Sequence, residues 1–323
     1  MLPPAFEGDI DGRSGAPVGI DYDTYARIVQ HAERIKVRST GDKPTMPPAG
    51  GPSDSARRDL AEWLVCGLPG GSAPSTDPCA VDRPMEGELS LASQADADDF
   101  CAQYSSVGGD VRVAGELTAD CLCDVSGDVE VTGAGVVSLP ALRTVGGDLA
   151  VESAANLVAL WVPELREVGG SWIVRDNGSL VEVEAASIEG IGGDYVVEDN
   201  PVLQEAWIPR AFTIAGDLVV QRNAAMTSVN ISRIQSVGGD LILRDNASFE
   251  TLFGEGYQLE DVGGDLIVAR NPVLGDLCNF FVELVTVGGH VELVENDNAV
   301  LLYSFTRLEG IDGHLWIVDN ERL

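Results

Sequence analysis

VGGDLILRDN (237–246) returns 25 residues later as VGGDLIVARN (262–271) and is preceded 23 residues earlier by IAGDLVVQRN (214–223). Further copies read VGGDLAV (145–151), VGGSWIVRDN (168–177), IGGDYVVEDN (191–200), VGGHVELVEN (287–296) and IDGHLWIVDN (311–320). The second glycine falls at 147, 170, 193, 216, 239, 264, 289 and 313, a period of 23 to 25 residues. A repeat of that length is the signature of a solenoid, in which each unit is one coil and stacked neighbours bury a shared core. After each glycine pair the residues alternate. Leu218/Val220 and Leu241/Leu243 take one face of a short strand, and Asp217, Val219 and Gln221 take the other. Stacking such strands gives a parallel sheet. The glycine pair is expected to make a tight corner with positive φ. The asparagine seven residues after the second glycine (177, 200, 223, 246, 271, 296, 320) is expected to point inward as a ladder that satisfies backbone groups the sheet leaves unpaired.

Composition narrows the function. Over 323 residues the chain carries 52 acidic and 20 basic side chains, a formal net charge of −32. Such a surface repels phosphate backbones and anionic lipid, so no nucleic-acid partner is expected. No apolar run is long enough to span a bilayer. The opening MLPPAFEGDIDG lacks the basic start and apolar core of a secretion signal. Six cysteines, at 66, 79, 101, 121, 123 and 278, sit mostly before and at the start of the repeats. There the end coil lacks one neighbour and a disulfide helps most, so we expect an oxidising compartment: extracellular, periplasmic or cell surface. Zinc spacing and CxxC are absent.

Residues 1–72 read as a small α-helical domain. Tyr25, Ile28, Val29, Ala32 and Ile35 give one helix within 21–38, and 53–67 gives a second that ends at Gly67. Residues 73–84 are a linker and 85–133 a solenoid cap with two early half-matches, SVGGDVRV (106–113) and VSGDVEV (125–131). Regular coils fill 134–323.

Three polar or apolar columns are candidate sites. Asp148, Asp194, Asp217, Asp240 and Asp265 should stack at one strand edge, interrupted by Ser171. Of these, Asp194, Asp217, Asp240 and Asp265 are the candidate ligands for weak calcium binding by hard oxygens, against the plainer role of bonding N–H groups of their own turn. His290 and His314 replace the aspartate in the last two coils, as surface residues. The outer face of the sheet presents Ala150, Ile173, Val196, Val219, Ile242 and Ile267, flanked by Glu152, Arg175, Glu198, Gln221 and Arg244. An apolar stripe edged by charges marks a partner site, and opposite charges on adjacent strands attract. Asn177, Asn230 and Asn246 match the glycosylation sequon. Two of them belong to the ladder, which leaves Asn230 as the acceptor. No nucleophile–base arrangement, HExxH or phosphate loop is present, so no enzymatic activity is expected.

The VGGDLxVxxN units with a following leucine, as in VGGDLIVARNPVL (262–274), resemble the receptor L-domain over about 85–323. The resemblance implies a right-handed parallel β-helix, close to a leucine-rich-repeat solenoid, in cell-surface proteins that bind partners. The chain stops at DNERL (319–323), where that family would show a C-terminal cap. The segments around DYDTY (21–25), MPPAGG (46–51) and ARRDLAEWLVCGLP (56–69) resemble the C-terminal half of a bacterial c-type cytochrome domain, which implies Met46 as a haem ligand. CxxCH is missing, so the chain as it stands carries no cofactor, and haem c enters only with a motif upstream. The combined expectation is a non-enzymatic, surface-associated recognition or structural module whose partner is a protein or glycan at the cell surface. The alternative is an electron-transfer protein with a haem domain tethered to a solenoid.

Overall fold

The computed structural model describes residues 77–323 apart from 209, 210, 232, 253–257, 276, 278–280, 301–304 and 323. The helices expected over 21–38 and 53–67, together with Met46 and Cys66, lie outside the described residues, as does Cys278. From Pro78 onward the chain forms one compact unit. It is a parallel β-solenoid with three-sided coils. One face is an 11-stranded sheet of two-residue strands, from Pro84–Met85 to Gly310–Ile311, each lying just before a corner glycine. The second face is an 11-stranded sheet of longer strands, from Leu89–Leu91 to Leu315–Val318, each lying just after it. The third face is split into a four-stranded and a three-stranded sheet. Stretch 85–133 is less irregular than its sequence suggests, because both half-matches supply strands, Val111–Val113 and Val129–Val131, to the long sheet.

Register on the second face is strict. Leu149, Trp172, Tyr195, Leu218, Leu241, Leu266 and Val291 align across adjacent strands, and so do Val151, Val174, Val197, Val220, Leu243, Val268 and Leu293. Both columns point inward and are buried. Each such side chain contributes roughly 1.5–3 kcal/mol by leaving water. Trp172 and Tyr195 meet edge-on, with ring centroids 5.6 Å apart. Burial pushes the Tyr195 phenol above its ordinary value.

The glycine pair does not serve the purpose the sequence suggested. Among the described glycines only Gly87 and Gly135 have positive φ, and neither belongs to a corner pair. Contact is what excludes a side chain there. A Cβ on Gly238 would lie 2.1 Å from the Ala215 carbonyl oxygen of the preceding coil, and one on Gly239 would lie 2.0 Å from Asp217 Oδ1. Where alanine occupies the first position the stack loosens slightly: the Ala215 N–H to Ile191 carbonyl distance is 3.1 Å, against 2.8 Å for Gly192 to Val168.

Positive φ is found at the opposite end of the strand, on residues that are not glycine. Ser153, Asp176, Asp199, Arg222, Asp245, Arg270, Glu295 and Asp319 all have φ between 53° and 59°. Left-handed backbone costs an L-residue roughly 1–2 kcal/mol. At all of these positions except Ser153, which Ala154 follows, the next residue is the ladder asparagine, and it offsets the cost. Asn223 Oδ1 accepts the N–H of Asn200 at 3.0 Å, and its Nδ2 donates to the Val197 carbonyl at 2.8 Å. The same pair of bonds recurs at 177, 200, 246, 271, 296 and 320, reaching back each time to the preceding coil.

The first coils are closed by helix α1 (Gln94–Cys101). Ser93 caps it, and Phe100 and Ala97 are buried beneath it. Gln94 holds both the N–H and the carbonyl of Thr118 at 2.8 Å. Disulfides Cys101–Cys121 and Cys79–Cys123 fasten the helix end and the incoming chain to the same coil. At the other end the strand Leu315–Val318 is 43–51% exposed.

The ladder gives a direct test. Asn223→Ala strands the Asn200 N–H in the core and takes one of two bonds from the Val197 carbonyl, so urea unfolding should show a loss of about 2–3 kcal/mol. Asn320→Ala, in the exposed last rung, should cost about 1 kcal/mol or less. Equal losses at the two positions would remove the ladder's role in holding the core.

Candidate binding face

The outward side of the long sheet carries three parallel columns. Strand pairing aligns Ala150, Ile173, Val196, Val219, Ile242 and Ile267 side by side, with Glu130 before them and Glu292 and Trp316 after. Apart from the exposed Trp316 and the buried Val219, these residues are half-buried, as expected of side chains standing on a sheet with only lateral neighbours. Val219 departs from the expectation. It is 8% exposed, and Gln221 beside it is also 8% exposed, so the middle of the stripe is closed to solvent.

Two residues further along each strand lies the charged column. Arg175 pairs with Glu152 and approaches Glu198 at 3.6 Å. Gln221 donates to Glu198 Oε2 at 2.6 Å and accepts from Arg244 Nε at 2.6 Å. Arg222, one step round the corner, reaches Glu198 at 2.8 Å and Asp199 at 2.7 Å, and Arg270 reaches Asp245 at 2.6 Å. Opposite charges thus alternate from coil to coil, as the sequence predicts, and continue onto the corner residues. Hydrogen bonds from Arg222 and Arg270 hold the Asp199 and Asp245 carboxyls below the usual carboxylate range, against a smaller opposing effect of burial. These pairs are exposed enough that each contributes only a few tenths of a kcal/mol.

The third column is the aspartate edge. Its members bond to the next coil, not to their own turn. Asp148 Oδ1 accepts the Ser171 N–H at 2.6 Å, Ser171 Oγ accepts from Asp194 at 3.0 Å, and Asp194 Oδ1 accepts from Asp217 at 2.8 Å. Asp217 and Asp240 continue the line to Asp240 and Asp265 at 2.8 and 2.7 Å. Asp110 and Asp128 start it among the early half-matches. At the far end Asp265 accepts from His290 at 2.6 Å, and His290 Nδ1 accepts from His314 at 2.9 Å. The histidine is therefore a substitute acceptor, stacked on His314 with ring centroids 5.3 Å apart. One oxygen of each of Asp194, Asp217, Asp240 and Asp265 is committed to this ladder. Among the described residues, no three carboxylates come close enough together, within 4.8 Å, to enclose an ion. The one donor group that does, Cys101, Asp120 and Cys121, has its two sulfurs joined in a disulfide.

Asn230 does not stand out as a glycan acceptor. It closes the strand Ser228–Asn230 and is 8% exposed, so its amide is held in the wall. Ladder residues Asn177 and Asn246 are fully buried. Sequence reasoning also passed over the alternation Val181-Glu182-Val183-Glu184, which places a row of glutamates on the third face. No helix among the described residues is long and apolar enough to cross a membrane. Comparison with family models, curated proteins and solved structures gives no match to this chain.

Two outcomes are expected. Gly239→Ala pushes a methyl onto Asp217 Oδ1 and should cost about 1–3 kcal/mol. In an Asp217→Ala background that cost should fall by at least about 0.5 kcal/mol, and a cycle showing strict additivity would mean the carboxylate is not what excludes the side chain. For acid, the depressed folded-state values of Asp199 and Asp245 mean their stabilisation is complete above the unfolded carboxyl value of about 3.9 and drains away as pH falls through the lower folded values. Melting temperature should therefore fall less steeply below about pH 4 in Arg222→Gln/Arg270→Gln than in the wild type.

Proposed function

We propose that the protein is a non-enzymatic recognition module that binds a protein partner on the outer face of its long parallel sheet. What supports this is the column Ala150, Ile173, Val196, Ile242 and Ile267, half-buried and in register on either side of the closed Val219, between the aspartate edge and the Glu152–Arg175–Glu198–Gln221–Arg244 row. A rigid apolar strip flanked by ordered charges supplies both halves of an interface, a desolvated centre and a polar rim. β-Branched side chains favour a protein surface over a glycan, which stacks on aromatic rings. The two disulfides support an oxidising location, at or outside the cell surface. Receptor L-domain-type recognition, with right-handed winding, is the form of the solenoid this reading favours. A calcium role for Asp194, Asp217, Asp240 and Asp265 falls to their outward oxygens alone.

Ile173→Asp combined with Ile242→Asp tests the assignment. The double variant should keep the wild-type circular dichroism and melt within a few degrees of it, because both residues stand outside the core. Phage-displayed peptides selected on the wild type should lose binding to the variant. Unfolding of the variant would place the stripe in the core. Selected peptides that bind both proteins equally, or recovery of ligands only from a glycan array, would move the interface elsewhere.

A further inference from the structure

The outer face of the long sheet carries uncompensated charge on one flank only. Outward positions on one strand stand about 6.6 Å apart, so the apolar column is bordered on one side by the aspartate edge and on the other by the Glu152–Arg175–Glu198–Gln221–Arg244 row. That row is neutralised from within. Glu152 is paired with Arg175, Glu198 with Arg175 and Arg222, and Arg244 with Gln221 and the neighbouring Asp245. The aspartate edge has no such compensation. Among the described residues Asp148, Asp194, Asp217, Asp240 and Asp265 form no ion pair. Each commits Oδ1 to the N–H of the next coil, and among the described residues its second oxygen accepts no bond.

Length and pitch of the column are set as well. Glu130, held by Arg112, and Glu292 bound it at its two ends, so it runs from Ala150 to Ile267 over about 24 Å. Val219 is closed in the middle, which leaves two accessible stretches: Ala150, Ile173 and Val196, then Ile242 and Ile267. Val196 and Ile242 are two strands apart, about 10 Å. A partner strand laid along the solenoid axis would present side chains on one face every 6.6 Å or so, out of step with coils about 4.8 Å apart. An α-helix laid there presents a ridge every turn, about 5.4 Å, and two turns span the closed position. Anchors seven residues apart then fall on Val196 and Ile242.

We propose that the occupant of this face is an amphipathic α-helix of a partner protein, apolar along one stripe and carrying lysine or arginine along one flank of that stripe. The inference rests on the reading of this face as a protein interface and adds the chemistry of the partner. The flank over the aspartate edge meets half-buried carboxylates, each with one oxygen free, at intervals of about 5 Å. Basic side chains suit it because their aliphatic stems lie along the apolar column while their charged ends reach the edge. The flank over the neutralised row gains little from added charge, since each charge there already has its opposite. A helix with glutamates on the first flank would set like charges side by side, and complementary charge fixes which partner docks.

The test is titration of the full chain with a synthetic helix of about 18 residues, about 27 Å long, bearing leucine at heptad positions a and d, lysine at b and e on one flank, and glutamine elsewhere. A counterpart carries glutamate in place of lysine. Amide chemical shifts are read in about 150 mM salt, where charges beyond about 8 Å are screened. The lysine helix should give saturable shifts on the long-sheet strands from 149–152 to 266–269, and the glutamate helix none. Asp194→Asn/Asp217→Asn/Asp240→Asn keeps an amide oxygen for each next-coil N–H and removes the charge. That variant should melt with the wild type and bind the lysine helix about fivefold more weakly, for the loss of three exposed ion pairs. If it unfolds, the lysine and glutamate helices on the wild type decide. Failure of the lysine helix to bind, equal binding of the glutamate helix, full binding by the folded asparagine variant, or shifts confined to Leu315–Val318 would each overturn the helix proposal. The interface reading would survive any of these while Ile173→Asp/Ile242→Asp still loses the phage-selected peptides. Undiminished binding of both the lysine helix and those peptides to that variant would remove the two together.

Discussion

A carboxylate oxygen occupies the place where a β-carbon of the following coil would have to be. Asp217 Oδ1 bonds the Asp240 N–H at 2.8 Å, and the same oxygen lies 2.0 Å from where a methyl on Gly239 would sit. Glycine and aspartate in the repeat are thus one requirement seen from two coils. The first glycine of the pair answers a similar demand from a backbone carbonyl. Once the corner is that close, the strand after it falls into register with its neighbour, and the inward columns follow. The outward columns, including the apolar stripe and the ion-pair row, are the other half of the same alternation.

The second corner works by different physics. There the chain turns through left-handed backbone on aspartate, arginine, glutamate and serine, none of which favours it as glycine would. Everywhere but at Ser153, which precedes Ala154, the strain persists because the adjacent asparagine is fully committed, with Oδ1 and Nδ2 both bonded to the coil behind. A glycine at the strained position would relax the backbone but forfeit the side chain. In this chain that side chain is often half of an ion pair, as with Arg222–Asp199 and Arg270–Asp245. One corner therefore excludes side chains and the other uses them.

Much of this was legible in the sequence. The period of the glycines gave the solenoid, strict alternation gave the inward and outward faces, and a polar amide at a fixed offset gave the ladder. What was hidden is the kind of fact that needs two coils at once. A glycine required by contact looks the same in a sequence as one required by φ, and nothing in Asp176, Arg222 or Glu295 announces a left-handed backbone. The aspartates looked like turn formers because local bonding is the commoner use of that residue. The break in the third face is invisible in the period, since 182 and 205 keep perfect spacing. Closure of Val219 and Gln221 has no counterpart in the local pattern, which repeats unchanged from the neighbouring coils. Disulfide pairing among the cysteines was open until the cap showed which sulfurs meet.

The two ladders run in opposite directions along the axis. Each aspartate offers an acceptor to the coil that follows, and each asparagine grips the coil that precedes. Every repeat therefore carries a complete socket on one side and a complete plug on the other. Duplicating or deleting one whole repeat leaves no mismatched joint, so such a protein can change its length by unit steps while its cap stays as it is. The lengthening from 23 to 25 residues between Gly239 and Gly264 obeys the same logic, for the extra residues fall between the asparagine and the next glycine pair and leave both joints untouched.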